Sequence, residues 1–266
     1  MNMAKIGFIG CGNMGGALAK AAVKSDAQIL LSDCNKEKLI TLANGIDANK
    51  STNHEIASVC DYIFLGVKPQ MMCDTLNEIK EELSSRSDRF VLVSMAAGLE
   101  TQKIKELAGG NYPVIRIMPN TPCSVESGMI LYTIDGVNEI EEQIFLKVMS
   151  HSGTFDKIPE SLIDAGSAVS GCGPAFVCQF VEALADGGVA AGLPRDKALL
   201  YAATTLEGTA RLILKSGEHP EVLKDRVCSP GGSTIEGVRR LENGAFRGDV
   251  IDAVIAAYNR TKELGK

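Results

Sequence analysis

The sequence predicts an α/β fold: an N-terminal Rossmann-type, mostly parallel sheet flanked by helices, followed by a C-terminal all-α dimerisation domain. Three observations lead there. Short apolar runs alternate with helically spaced segments as far as Lys157, the pattern of a parallel sheet covered on both faces. The first run ends in Gly10-Cys11-Gly12-Asn13-Met14-Gly15, a glycine-rich turn that opens a helix. Beyond Pro159 no convincing strand remains, so the domains are expected at residues 1–159 and 160–266.

Short apolar runs at Lys5–Gly10, Gln28–Ser32, Tyr62–Val67, Phe90–Ser94 and Val114–Met118 predict strands, and Met129–Thr133 and Gly153–Lys157 read as two further short strands. Asn13–Lys24 carries Met14, Leu18, Ala21 and Ala22 on one side, and Pro69–Leu83 carries Met72, Leu76, Ile79 and Leu83 on one stripe; both spacings are helical. Lys36–Ala43 and Asn138–Ser150 read as further helices. In the second part Phe176–Ala191, Pro194–Lys215, Pro220–Val227, Ile235–Leu241 and Ala245–Leu264 read as helices, with Pro194 at a first-turn position. Phe176–Ala191 is apolar on most sides and needs more burial than a small helical domain supplies by itself. Self-association, at least to a dimer, is therefore expected.

Composition narrows the partners. The chain is 45% hydrophobic and 23% charged, as globular proteins are, and its net charge of −6 leaves no basic excess for nucleic acid. No apolar run approaches the roughly 18 residues of a membrane span, so no membrane partner is expected. Met-Asn-Met-Ala-Lys leads straight into the first strand without a signal-peptide pattern, which places the chain in the cytoplasm as an expectation. The 8 cysteines form no Cys-x-x-Cys pair, and the 3 histidines, His54, His151 and His219, lack ligand spacing, so no metal site is expected. Cys11 is the one candidate for a redox-sensitive thiol, with an inert buried thiol as the alternative.

In the glycine turn, Gly10 permits the tight bend, Gly12 lets the backbone approach a pyrophosphate, and Gly15 lets the helix pack on the strand. The helix start at Asn13 and Met14 offers free N–H groups and a positive dipole end to an anion. The second strand ends at Ser32-Asp33. Asp33 lies 18 residues past Gly15, close to where an acid grips an adenine ribose 2′-hydroxyl, which favours NADH. Against that, Ser32, Asn35, Lys36 and Lys38 could surround a phosphate, and Asp33 could instead shape an Asp–Asn turn that caps the next helix. Val67-Lys68-Pro69, Ala96-Ala97-Gly98 and Asn120 follow later strands, whose carboxyl ends line the cofactor crevice in such folds. Cys228-Ser229-Pro230-Gly231-Gly232-Ser233-Thr234 is a glycine-rich turn with hydroxyls at a helix start, suited to a carboxylate or a phosphate, or to simple capping.

Taken together, Gly7–Gly15, Val67–Gln70, Ser94–Gly98, Arg116–Pro122, Ser170–Ala175 and Ser229–Thr234 resemble the pyrroline-5-carboxylate reductases from Ile6 to about Tyr258. The Ser229–Thr234 segment, continued by Ile235–Glu242, is the most specific piece, whereas the glycine turn is shared with many dehydrogenases. The resemblance implies hydride transfer from NADPH or NADH to L-1-pyrroline-5-carboxylate, giving L-proline, the last step of proline biosynthesis. It makes Gly231, Gly232, Ser233 and Thr234 the cradle of the substrate carboxylate, with Thr234 the candidate catalytic contact to the ring nitrogen. It makes Lys68 and Asn120 cofactor-side contacts and matches Asn53 to an asparagine near the adenosine ribose. It also implies a dimer, with five dimers forming a decamer in many members. Asp33-Cys34-Asn35 stands where many relatives carry an Asn-Arg-Thr-like phosphate clamp, so the choice between NADPH and NADH stays open. Cys172 stands where Ser or Ala is usual. Two other readings are an imine or hydroxyacid reductase of the same architecture, separable by a substrate panel, and a nucleotide sensor, which would bind cofactor and turn over nothing.

Overall fold

The computed structural model describes residues 3–264. Strand β1 (Lys5–Ile9) runs into helix α1 (Asn13–Ala22), followed by β2 (Gln28–Ser32), α2 (Lys36–Ile46), β3 (Asn49–Lys50), α3 (Asn53–Val59) and β4 (Tyr62–Leu65). Then come α4 (Met72–Glu78), α5 (Lys80–Ser85), β5 (Val91–Ser94), α6 (Thr101–Ala108), β6 (Val114–Met118), β7 (Gly128–Asp135), α7 (Glu139–Val148) and β8 (Gly153–Lys157). Six helices complete the chain: α8 (Ile163–Ser170), α9 (Gly173–Ala190), α10 (Arg195–Ser216), α11 (Pro220–Val227), α12 (Ser233–Asn243) and α13 (Phe246–Leu264). These residues divide into two compact units, one of residues 3–172 with 257–264 and one of residues 173–256.

The first unit is built on an 8-stranded sheet ordered β3-β2-β1-β4-β5-β6-β7-β8, parallel except where β7 runs against β6. The chain winds outward from β1 to β3 and then returns to the other side of β1 with β4. The crevice between the carboxyl ends of β1 and β4 is therefore a topological switch point, the place where open α/β sheets bind ligands. Alternation along the strands sends side chains to two cores. Phe8, Leu31, Phe64, Val93 and Ile117 face one side with Phe145 of α7, while Ile9, Ile63, Leu65 and Leu92 face the other with Met72, Leu76 and Ile104. Phe8 stacks on Phe64 at 4.4 Å between centroids, and Phe64 lies 6.2 Å from Phe145.

The predicted strands and most helices are present. The expected helix Pro69–Leu83 is instead a 3-10 turn at Pro69–Met71, then α4 and α5, broken at Ile79 (φ −104°, ψ 4°). The break lets Met72, Leu76, Ile79 and Leu83 all enter one core, each at most 1% exposed. Helix α3 lay outside the sequence reading, although Thr52 caps it by accepting from Glu55 N at 3.1 Å, the S/T-x-x-E signal. Helices α6 and α8 were missed as well. The expected absence of any run long enough to cross a membrane is corrected: Glu160–Ala190 reaches a mean hydropathy of 1.3 over an 18-residue window. Alanines and scattered Val, Leu, Phe and Cys raise the mean, while the glycines and serines between them break up any visible apolar run. The segment is two helices, α8 and α9, rather than one.

In the second unit α9 and α10 approach closely because the contact residues are small. Ala185, Ala198 and Ala202 form its buried cluster, and a Cβ on Gly188 would lie 3.3 Å from the Ala198 Cβ. Only Ala185 of the 18 residues of α9 is buried, and Val177, Leu184, Leu200, Leu214 and Ile251 stand exposed. Within this unit Phe176, Phe180, Leu184, Leu241, Phe246 and Val250 line an apolar groove of about 650 Å³.

Phe145→Ala is expected to destabilise the first unit by ~3–5 kcal/mol, the cost of a buried Phe truncation. Urea denaturation followed by circular dichroism would check this, and an unchanged midpoint would mean that the stacked aromatic column carries little of the stability.

Candidate active site

The glycine turn is held by backbone contact. Gly10 has φ +94°, and a Cβ there would lie 2.7 Å from the Gly66 carbonyl carbon. A Cβ on Gly15 would lie 2.1 Å from the Gly10 carbonyl oxygen. Gly12 differs: a Cβ would meet nothing within 4 Å, so its open face is turned away from the packed backbone. Gly12 is also the N-cap of α1, and no side chain caps that helix. The free N–H groups of the first turn, which includes Asn13, Met14 and Gly15, have no side-chain acceptor. An uncapped helix N-terminus beside an unobstructed glycine fits a pyrophosphate.

Beside this turn lies a cleft of about 340 Å³ at the carboxyl ends of β1, β2 and β4. Its lining includes Gly10, Gly12, Asp33, Asn53, Val67 and Lys68. Here the structure brings together six of the fifteen cofactor-side residues expected from sequence. Lys68 is exposed at the rim, and Pro69 begins the 3-10 turn that follows it. Asn53 Nδ2 donates to Glu78 Oε2 at 2.8 Å, and His54 Nδ1 lies 2.7 Å from Glu82 Oε1. Met71, Asp74, Thr75 and Glu78 also line the cleft and were missed. Their spacing of three and four residues, flanking the apolar stripe at 72, 76, 79 and 83, was the available signal.

Several residues read as ligand contacts also hold the fold. Asp33 Oδ2 accepts from Cys11 N and Oδ1 accepts from Asn35 N, both at 2.7 Å, so the carboxylate ties the glycine turn to the end of β2. Ser32 is buried, and its carbonyl accepts from Gly10 N at 2.8 Å. Asn120 is 8% exposed; its Nδ2 donates to the Ser170 carbonyl at 2.9 Å and its Oδ1 accepts from Met129 N at 2.9 Å. Ala96 is buried, Ala97 is exposed, and Gly98 turns with φ +76° just after β5. Arg116, 2% exposed on β6, bonds Glu160 Oε1 at 3.2 Å and Asp164 Oδ1 at 3.1 Å, while Glu160 also accepts from Thr101 N and Oγ1. Cys11 is buried, and that burial, with the Asp33 charge second, pushes its thiol up to about 12. The inert reading of Cys11 follows.

In the second unit Ser229-Pro230-Gly231-Gly232 is a β-turn. Gly232 N donates to the Ser229 carbonyl at 3.0 Å, and Gly231 has φ +66° in the position after proline, as in a type II turn. Gly232 is then the N-cap of α12, again with no side-chain cap, and Ser233 and Thr234 open the helix. A Cβ on Gly231 would meet nothing within 4 Å. The combination is a second uncapped, glycine-approached helix start able to hold a carboxylate.

A sheet with its switch point at a glycine-cradled cleft defines the Rossmann-type class used by dinucleotide-dependent oxidoreductases. Comparison with known proteins narrows the class. Residues 160–264 match the family description "Pyrroline-5-carboxylate reductase dimerisation", and residues 5–98 match "NADP oxidoreductase coenzyme F420-dependent". Pyrroline-5-carboxylate reductase of Escherichia coli K12 is 39% identical, with 98% of each chain covered, and that of Arabidopsis thaliana is 38% identical over 98% of this chain and 96% of its own. Among solved structures, the Plasmodium falciparum pyrroline carboxylate reductase with NADP bound has a TM-score of 0.86 at 34% identity, covering 100% of both chains. The Coxiella burnetii enzyme has a TM-score of 0.90 at 30% identity, again over 100% of both. The chain belongs to the pyrroline-5-carboxylate reductase family.

Two outcomes are expected of this site. Gly12→Val should cost the fold no more than about 1 kcal/mol, the loss of a tolerated N-cap residue, while weakening NADPH and NADH binding in a fluorescence titration. Gly15→Val should destabilise the fold itself. For the thiols, iodoacetamide at pH 8 should label exposed Cys34 and Cys73 in the folded chain and spare Cys11. Comparable labelling of Cys11 by mass spectrometry would contradict its burial.

Proposed function

We propose that the chain reduces L-1-pyrroline-5-carboxylate to L-proline with NADPH or NADH, the last step of proline biosynthesis. The observation that carries this reading is the presence in one chain of the glycine-cradled cleft and the uncapped Ser229–Thr234 helix start, within a similarity that runs through the full length. The domains are read as a dinucleotide-binding domain of residues 1–159 and a substrate-binding and oligomerisation domain of residues 160–266. Gly10, Gly12, Asn13, Met14 and Gly15 hold the pyrophosphate, Asp33 and Asn53 face the adenosine half, and Val67, Lys68 and Pro69 form the rim. The segment Ala96-Ala97-Gly98 leaves room for a flat ring. Ser32 and Asn120 support the site through the bonds that hold its loops.

Bound reduced nicotinamide supplies a hydride to the imine carbon. A protonated imine is already electrophilic, so positioning does most of the work, and proximity alone is worth ~7–11 kcal/mol of barrier. Gly231, Gly232 and Ser233 hold the substrate carboxylate at the positive end of α12. Thr234 bonds the ring nitrogen, whose lone pair and proton complete the secondary amine of proline. The exposed apolar faces of α9, α10 and α13 support self-association as a dimer, and we extend this to a decamer of five dimers. We place the enzyme in the cytoplasm, acting without nucleic acid or membrane; the apolar α8–α9 segment serves the contact between copies.

Purified protein given pyrroline-5-carboxylate and either cofactor should oxidise the nicotinamide and form proline. No turnover by folded protein that still binds cofactor would overturn the substrate assignment. Thr234→Ala should lower kcat/KM by roughly 10²-fold, the usual loss for a transition-state hydrogen-bond donor, and Thr234→Ser should keep most activity. A loss under about threefold in the alanine variant would remove Thr234 from that role.

A further inference from the structure

We propose that Asp33 makes this chain select NADH over NADPH. The inference rests on the dinucleotide site described above and adds which cofactor that site takes. In a sheet of this order the pyrophosphate lies at the β1 turn and the adenosine half lies toward β2. Asp33 is the residue immediately after β2, and it lines the same cleft as Gly12 and Asn53. Its carboxylate does not swing freely. Bonds of 2.7 Å from Cys11 N and from Asn35 N hold one oxygen each. Oδ1 also meets Cys34 Sγ at 3.7 Å, whereas Oδ2 keeps a further lone pair that can accept from a ribose 2′-hydroxyl. A 2′-phosphate in that place brings a dianion against a carboxylate that cannot turn away without releasing the glycine turn.

The surroundings point the same way. The cleft is lined by three carboxylates, Asp33, Asp74 and Glu78, and by one cation, Lys68. Lys36 and Lys38, the cations nearest to Asp33 along the chain, do not line it. Lys38 lies with Lys20 in a groove between α1 and α2 that shares only Gly12 with the cleft. An acidic cleft with its fixed acid at the ribose end accepts the less charged dinucleotide.

The test is equilibrium binding of NADH and NADPH to the full chain without substrate, followed by nicotinamide fluorescence. NADH should bind about tenfold or more tightly than NADPH, as like-charge placement in a site requires. Asp33→Asn, which removes the charge at nearly constant size, should narrow that ratio by about the same factor. Because Asp33 also ties the glycine turn, a melting curve of the variant accompanies the titration. A salt series on the unaltered chain supplies evidence that does not depend on the variant folding: screening should bring the two affinities together as ionic strength rises. Equal or tighter NADPH binding by the unaltered chain overturns the proposal, as does an unchanged ratio in a well-folded Asp33→Asn variant or a ratio that widens with salt. Failure of turnover with pyrroline-5-carboxylate, with cofactor binding intact, would overturn the substrate assignment alone and leave the NADH preference standing. Failure of both dinucleotides to bind would overturn this inference together with the cofactor site.

Discussion

The first unit depends on one backbone-to-backbone contact. The Gly10 carbonyl oxygen lies 2.1 Å from the place a Cβ would take on Gly15 and 2.4 Å from the place one would take on Gly66. The turn leaving β1, the first turn of α1 and the end of β4 therefore touch without any side chain between them. That contact aims the start of α1 at the switch point of the sheet and leaves Gly12 as the open face of the turn. A methyl group at any of the three contact positions has no flexible neighbour to displace, because what it would meet is main chain.

Polar residues around the cleft serve two ends at once. Asp33 and Asn120 both carry the residue types expected of ligand contacts, yet each holds loops together through bonds to backbone groups. Buried or half-buried polar groups need partners, and a loop that must present ligand-binding atoms cannot be left to find its shape on binding. Arg116 extends the same logic. It is fully buried, and Glu160 and Asp164 neutralise it while Glu160 anchors the start of α6 through Thr101. Removing both carboxylates would leave the buried Arg116 charge without compensation, which is far more costly than replacing the whole group.

The second unit has the opposite character. Its helices meet through alanines and glycine at α9 and α10, and much of its apolar surface remains exposed. Leu214 is 84% exposed and Ile251 is 61% exposed in the single chain. Exposed apolar area on this scale marks a surface that another protein covers. The match of residues 160–264 to a dimerisation family agrees with that physical reading.

Period and composition in the sequence determined much of this protein. Strands β1, β2, β4, β5 and β6 are legible because burial makes them short apolar runs, and the long helices are legible through their repeating stripes. The glycine turn and the Ser229–Thr234 turn are legible because only glycine tolerates such close approach or positive φ, so the residue names the geometry. Tertiary structure decided the rest. The break at Ile79 comes from a core that draws in four side chains, which no local propensity records. The polar face of α4 became part of the cleft only when the sheet order placed it beside β1 and β2. Which backbone groups Asp33, Ser32 and Asn120 meet depended on donors and acceptors from 2 to 50 residues away. Spacing along a chain encodes which face a residue shares, but the identity of a hydrogen-bond partner is set only when distant segments are brought together.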